Sequence, residues 1–212
     1  MLTELPAHLP SFMPAERYAL LSLFILAASG TPGPGNMALA ALGGTHGPTR
    51  TLPFLAGMLV GFTTTLWLAA AGLLALISSV PVLQGALQLA CFAYILYLAW
   101  IIAFARAGTV SGSAASRAPG FLRGLWVHPL NPKAYAMQIA ALSQFAAPDH
   151  YLRDVSIISL TFVVLGGGAN FCWAMAGTLM ARLAGAPSRL RAINVTLAAL
   201  MVASTMASLL IA

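Results

Sequence analysis

Two short runs of the 212-residue chain carry residue types that could do chemistry: Thr31-Pro32-Gly33-Pro34-Gly35-Asn36 and His128-Pro129-Leu130-Asn131-Pro132-Lys133. Each lies inside an otherwise apolar segment. Pro32 and Pro34 remove two backbone donors, and Gly33 and Gly35 tolerate unusual dihedrals. A helix should stop near Gly30 and restart after Gly35, with Asn36 placed to cap the new N-terminus. In the second run Pro129 ends one half-helix, Asn131 is the expected N-cap, and Pro132 takes the favoured first helical position. A freed N-terminus presents unpaired N–H groups and attracts a carboxylate, while the preceding half-helix presents carbonyls that attract an ammonium. Two broken helices of opposite sense could hold both ends of a zwitterion. An ordinary proline kink is the alternative for either run alone; two Pro-Asn breaks in corresponding positions favour a site formed by Pro32, Gly33, Pro34, Gly35, Asn36, Asn131, Pro132 and Lys133.

Lys133 is the single lysine, ten residues beyond Arg123, and so about 15 Å along a helix from that charge. A charge at such depth faces a cavity or a partner. No apolar segment contains an acid to pair with it, which leaves half-helix carbonyls, water or a substrate carboxylate. His128 could carry protons near neutral pH, or make a structural hydrogen bond. The segments offer two isolated cysteines and no carboxylates, so neither a metal cluster nor a catalytic acid–base pair is expected, and no cofactor.

The elements that must position these residues follow from composition. Hydrophobic residues make up 60% of the chain and charged residues 7%, against about 25% charged in soluble domains. Uncharged stretches run from Tyr18 to Thr49, Thr51 to Ala105, Val155 to Ala181, and beyond Arg191. A spanning helix needs about 20 mostly apolar residues. The expected fold is an all-α polytopic membrane protein with six spans, roughly Tyr18–Gly44, Thr51–Ser78, Val82–Ala105, Phe121–Ala147, Val155–Ala181 and Ala192–Ala212. Residues 1–17 form an extracytoplasmic N-terminal segment without a basic signal-peptide region, 18–106 and 121–212 two three-helix repeats, and 107–120, rich in Gly, Ser and Ala, a cytoplasmic linker. Three spans per half make the halves enter the membrane in opposite senses, a 3+3 inverted repeat with two broken helices.

Arg50, Arg106, Arg117, Arg123, Arg182, Arg189 and Arg191 fall on one side of these spans, and Arg17 and Arg153 with all four acids on the other. The arginine-rich side should face the cytoplasm, leaving both termini outside the cytoplasmic membrane. The formal charge of +6 does not point to nucleic acid, because the basic residues do not cluster on a polar domain. Lipid is the expected surroundings. Cys91 and Cys172 are expected as buried free thiols. Gln138, Gln144, Asn170, Thr63, Thr64, Thr65, Tyr94, Tyr97 and Tyr135 read as ties between helices. The GxxxG spacings Gly43/Gly47, Gly57/Gly61 and Gly120/Gly124 allow close helix packing and are compatible with a homodimer without establishing one. The Gly166-Gly167-Gly168 run predicts a thin or bendable helix and is no phosphate loop, since no Lys-Ser/Thr follows.

From about Ala19 to Ala212 the chain resembles the LysE/RhtB family of amino-acid exporters. The anchors are TPGPGN (Thr31–Asn36), HG-x-x-R (His46–Arg50), LQLACFAYILYLAW (Leu87–Trp100), LNPKAYAMQIAALSQF (Leu130–Phe145) and Arg191–Asn194. The resemblance implies six spans in the cytoplasmic membrane and outward transport of amino acids or similar small metabolites, driven by proton exchange. One position departs: after PGP the family often carries Asn, Asp or Gln, where this chain has Gly35 followed by Asn36. A metal-ion or small-solute exporter, or a passive channel of the same superfamily, is the competing expectation, and export of a zwitterionic organic solute suits the residues better.

Overall fold

In the computed structural model, which describes residues 13–104 and 119–211, every regular element is helical. The expected N-terminal segment lies outside the described residues up to residue 12, and the linker at 107–120 lies outside them except for its last two residues, so Arg106 and Arg117 are not placed. The helices are α1 (Ala15–Gly30), α2 (Pro34–His46), α3 (Leu52–Ala70), α4 (Leu73–Ser78), α5 (Pro81–Ala103), α6 (Phe121–Leu125), α7 (Pro132–Phe145), α8 (Tyr151–Thr161), α9 (Gly167–Ala184) and α10 (Pro187–Ile211). A π-helical turn, Phe162–Gly166, joins α8 to α9.

Among the described residues, four segments are long and apolar enough to cross a membrane: Thr49–Ala70, Pro81–Ala103, Pro148–Ala184 and Pro187–Ala207. The first and fourth expected spans are each interrupted, so neither yields one long helix. The expected second span, Thr51–Ser78, is also divided. Its chain leaves α3 at Ala70, and Gly72 adopts φ +89°, a left-handed conformation that a side chain disfavours, before α4 begins. The glycine run near 166 coincides with the π turn, which inserts an extra residue into the helix while keeping it continuous.

Between apolar helices in lipid, association rests on close van der Waals contact and on small residues that let backbones meet. Here those residues cluster. A Cβ added at Gly43 would overlap the Ala174 carbonyl, and one at Gly177 the Ala40 carbonyl, so α2 and α9 touch backbone to backbone. The same holds for α3 and α6: Gly57 faces the Phe121 carbonyl, Gly61 that of Leu125, and Gly124 that of Phe54. The GxxxG glycines at 57 and 61 are thus used within the chain. Thr178 Oγ1 donates to the Gly43 carbonyl at 2.8 Å, and Asn194 Nδ2 to Thr45 Oγ1 at 3.3 Å, adding polar ties at this end.

These contacts sort the described arginines. Gly44 lies against Gly177 and Ala181, Gly124 against Phe54, and Thr45 against Asn194, which gathers Arg50, Arg123, Arg182, Arg189 and Arg191 at one end. At the other end Arg17 Nη2 donates to the Gln144 carbonyl at 3.2 Å, and Tyr151 Oη to that of Ala70 at 2.9 Å. The fully buried Asp154 accepts there from Arg153 Nε at 2.9 Å and from the Ala147 N–H at 2.9 Å. It ties the end of α7 to the start of α8.

Two apolar clusters result. One surrounds α2 with residues of α3, α5, α9 and α10, including Leu39, Phe54, Met58, Ile95 and Met201. The other joins α1, α3, α7 and α8 through Leu21, Ile25, Leu66, Ala141 and Ile158. Cys91 is buried as expected, whereas Cys172 lies exposed on α9, because its helical face points away from α2. The backbone contacts make a direct prediction. Gly177→Ala should destabilise the protein by about 1–3 kcal/mol through overpacking, whereas Gly168→Ala, with nothing within 4 Å of the added Cβ, should be neutral or gain up to about 1 kcal/mol of helix propensity. Thermal unfolding of the two detergent-purified variants tests this; equal melting temperatures would contradict it.

Candidate functional site

Both breaks predicted from sequence are present, and they meet. α1 ends as the Thr31 N–H bonds the Ala27 carbonyl at 3.1 Å, and α2 starts at Pro34 with its first intrahelical bond from the Met37 N–H to the Gly33 carbonyl at 2.9 Å. The Gly35 and Asn36 N–H groups precede that bond and belong to the unpaired first turn. In the second break, turns from Trp126 to Leu130 separate α6 from α7. Asn131 caps α7 as predicted, its Oδ1 accepting from the Lys133 N–H at 3.1 Å, with Pro132 at the first helical position. A lost cap of this kind costs about 0.5–2 kcal/mol.

Asn36 does something other than the expected capping. The N-cap of α2 is Gly33, and Asn36 sits one turn inside the helix. Its Nδ2 donates to the Ser29 and Thr31 carbonyls, both at 2.8 Å. It closes the C-terminal end of α1 and leaves the N–H groups of α2 free. The proline pair shifts the helix start forward, which moves Asn36 past the cap position.

Lys133 crosses from α7 to the first break. Its Nζ donates to Thr31 Oγ1 at 2.8 Å, to the Thr31 carbonyl at 2.9 Å and to the Pro32 carbonyl at 3.3 Å. Of the partners left open by sequence, the half-helix carbonyls are therefore realised. The side chain passes over Gly33, where an added Cβ would come within 3.0 Å of Lys133 Cδ. Gly33 is the space through which the lysine reaches. At Gly35 an added Cβ would lie 2.6 Å from Met58 Cε, the far end of a flexible side chain, 3.4 Å from Val127 Cγ1 and 3.9 Å from His128 Cε1, so the departure at this position leaves room that these three side chains share.

A cavity of about 40 Å³ lies where the two breaks meet, enough for about three waters. α1 and α2 contribute Ser29, Gly33, Gly35 and Asn36; the second break and α7 contribute His128, Asn131 and Lys133. Leu59, Phe62 and Thr63 of α3 form another wall, and Phe162, Val163, Gly166 and Asn170 of the π turn and α9 the fourth. The predicted site residues Gly33, Gly35, Asn36, Asn131, Lys133 and His128 are thus brought to one cavity, with Pro32, Pro34 and Pro132 shaping its helix ends. Among the described residues, no Asp or Glu lines it. His128 stands edge-on to Phe62, centroids 5.1 Å apart, and its buried Nδ1 has no partner among the described residues.

The α3 and π-turn walls were not singled out from sequence. Of the polar residues read as ties, Gln138 and Tyr94 are: Gln138 Nε2 donates to Thr65 Oγ1 at 2.7 Å and to the Phe62 carbonyl at 3.2 Å, and Tyr94 Oη to the Arg123 carbonyl, while Tyr135 Oη donates to the Pro129 carbonyl within its own broken segment. Asn170 is not; it faces the cavity.

A family model described as LysE type translocator matches residues 26–210. A cysteine/O-acetylserine efflux protein of Klebsiella pneumoniae is 35% identical over 170 residues, covering 77% of this chain and 85% of the relative. Proteins of the same description from Salmonella typhimurium and Escherichia coli O157:H7 are 33% and 32% identical, over 72% and 77% of this chain and 77% and 85% of their own. No solved structure matches. The chain therefore belongs to the LysE type translocator family, and is a membrane transporter rather than an enzyme.

Proposed function

We propose that this protein exports small amino acids or amino-acid-like metabolites from the cytoplasm, through the cavity between its broken helices and in exchange for protons. The observation that carries this reading is Lys133: a lone ammonium held at a helix break, beside the free N–H groups of α2 and a cavity without carboxylates. A carboxylate entering the cavity meets both a cation and a helix N-terminus. The relatives support the substrate class, since cysteine and O-acetylserine are both small and zwitterionic.

In this reading the membrane is crossed six times, by four continuous segments and two broken ones, as a 3+3 inverted repeat in the inner membrane. The segments Thr49–Ala70, Pro81–Ala103, Pro148–Ala184 and Pro187–Ala207 and the pairs α1/α2 and α6/α7 support it. The cluster of five arginines at one end supports a cytoplasmic placement of that end and extracytoplasmic termini. A single cysteine replacing the exposed Thr49, in a background lacking Cys91 and Cys172, should resist an impermeant thiol reagent in intact cells. Strong labelling there would reverse the orientation.

Proton exchange needs a group that changes charge. His128 and Lys133 are the titratable side chains at the cavity, and the substrate's own amine is the third. Efflux should therefore collapse when an uncoupler removes the proton gradient, and efflux indifferent to the gradient would exclude the coupling while leaving export intact.

The lysine supplies the decisive variant. Lys133→Met keeps the apolar stem, removes the charge and strands no counter-charge; it frees the Pro32 carbonyl, but Asn36 still donates to the Ser29 and Thr31 carbonyls, so folded protein should persist in the membrane at reduced stability. The half-saturating concentration for efflux of O-acetyl-L-serine from loaded vesicles should rise about 10- to 100-fold, the value of one charge-assisted hydrogen bond. A folded variant with unchanged efflux would remove Lys133 from substrate binding, and an unfolded one would assign it to holding the break alone.

A further inference from the structure

The seat that a broken helix offers to an ammonium is already filled in this protein. At the end of α1 the Ser29 carbonyl accepts from Asn36, the Ala28 carbonyl from Thr31 Oγ1, and the Thr31 carbonyl from both Asn36 and Lys133. With these carbonyls engaged and no acid among the described residues that line the cavity, a zwitterion bound by its carboxylate needs a different acceptor for its other end.

Asn170 is placed to be that acceptor. The residue is 7% exposed and lines the cavity, and its amide makes no hydrogen bond with the described residues while keeping accessible surface. A carboxamide that opens on a cavity at membrane depth pairs there with water or ligand. The local structure explains its aim. Asn170, Ala174 and Gly177 stand at i, i+4 and i+7, on the face of α9 that packs on α2. Toward the other end of the helix that face makes backbone contacts; at Asn170 it reaches the α2 N-terminus, where the contact opens into the cavity. The π turn, which ends four residues earlier at Gly166, adds one residue and so rotates this face by about 100° relative to an uninterrupted α8. Gly166, within that turn, brings the wall close to α1: an added Cβ would lie 3.1 Å from Ser29 Oγ.

We propose that Asn170 is a specificity-determining residue whose Oδ1 accepts a hydrogen bond from the substrate ammonium, opposite the Lys133 side that takes the carboxylate. The inference rests on the export reading and deepens it: the site would then require a free amine, and not merely a small carboxylate.

O-acetyl-L-serine and its isomer N-acetyl-L-serine make the test, since both carry the carboxylate and only the first carries the ammonium. Efflux of each from proteoliposomes, in mildly acidic buffer that slows acyl migration, is measured for wild type, Asn170→Leu and Asn170→Asp. Wild type should prefer O-acetyl-L-serine. Asn170→Leu should erase at least about tenfold of that preference, the value of a hydrogen bond to a charged donor. Asn170→Asp, isosteric and a stronger acceptor, should preserve or widen it. A merely structural role would lower the amount of folded transporter without moving the ratio. An unchanged ratio in folded Asn170→Leu overturns the proposal, and should that variant fail to fold, a collapsed ratio in Asn170→Asp overturns it. Wild type that moves neither compound nor any other amino acid would overturn the export reading itself.

Discussion

The Lys133 ammonium on the Thr31 and Pro32 carbonyls is the interaction on which the centre of this protein depends. An apolar solvent leaves no water to satisfy a cut backbone, so a helix broken at membrane depth must be repaired from within the protein. α1 is repaired twice, by Asn36 from its own strand of chain and by Lys133 from the other half. The second repair ties the two breaks into one unit and brings a cation into it. Gly33 suits this arrangement, because a Cβ there would lie 3.0 Å from Lys133 Cδ and the lysine stem would have to give by a few tenths of an ångström.

The packing around that unit is uneven. On the arginine-rich side of the breaks, α2 meets α9 and α3 meets α6 with backbone touching backbone. On the other side α1 turns a largely exposed face outward, with Leu20, Leu23 and Leu26 unburied. The cavity lies between the cluster around α2 and the cluster around α1, α7 and α8. The glycines therefore fix one half of the molecule, and the polar residues at the breaks line the space where that tight contact ends.

Much of this was legible in the sequence. Proline, glycine and asparagine inside apolar runs announce a broken helix without tertiary information, and the Asn131 cap follows from Asn-Pro spacing alone. Sequence alone makes Asn36 a cap, because two prolines two residues apart leave the helix start ambiguous, and only the fold shows that α2 begins at Pro34. Sequence groups Asn170 with the ties between helices, because nothing in its neighbourhood distinguishes it from Gln138. The difference is three-dimensional: Gln138 faces Thr65 and the Phe62 carbonyl, whereas Asn170 faces the cavity behind a π turn. Its spacing to Ala174 and Gly177, small residues that mark a packed face, is the signal that could have raised it. Cys172 shows the same limit, since an apolar run does not say which residues face lipid.

The central claim is that a small amino acid passes through the cavity between the breaks. Thr63 lines that cavity from α3 and has no role in repairing either break. A Thr63→Cys protein without Cys91 and Cys172, reconstituted alone, should show counterflow of labelled O-acetyl-L-serine that a thiol reagent abolishes and that excess substrate protects. Undiminished counterflow in fully modified protein would place the transport path elsewhere and contradict the account.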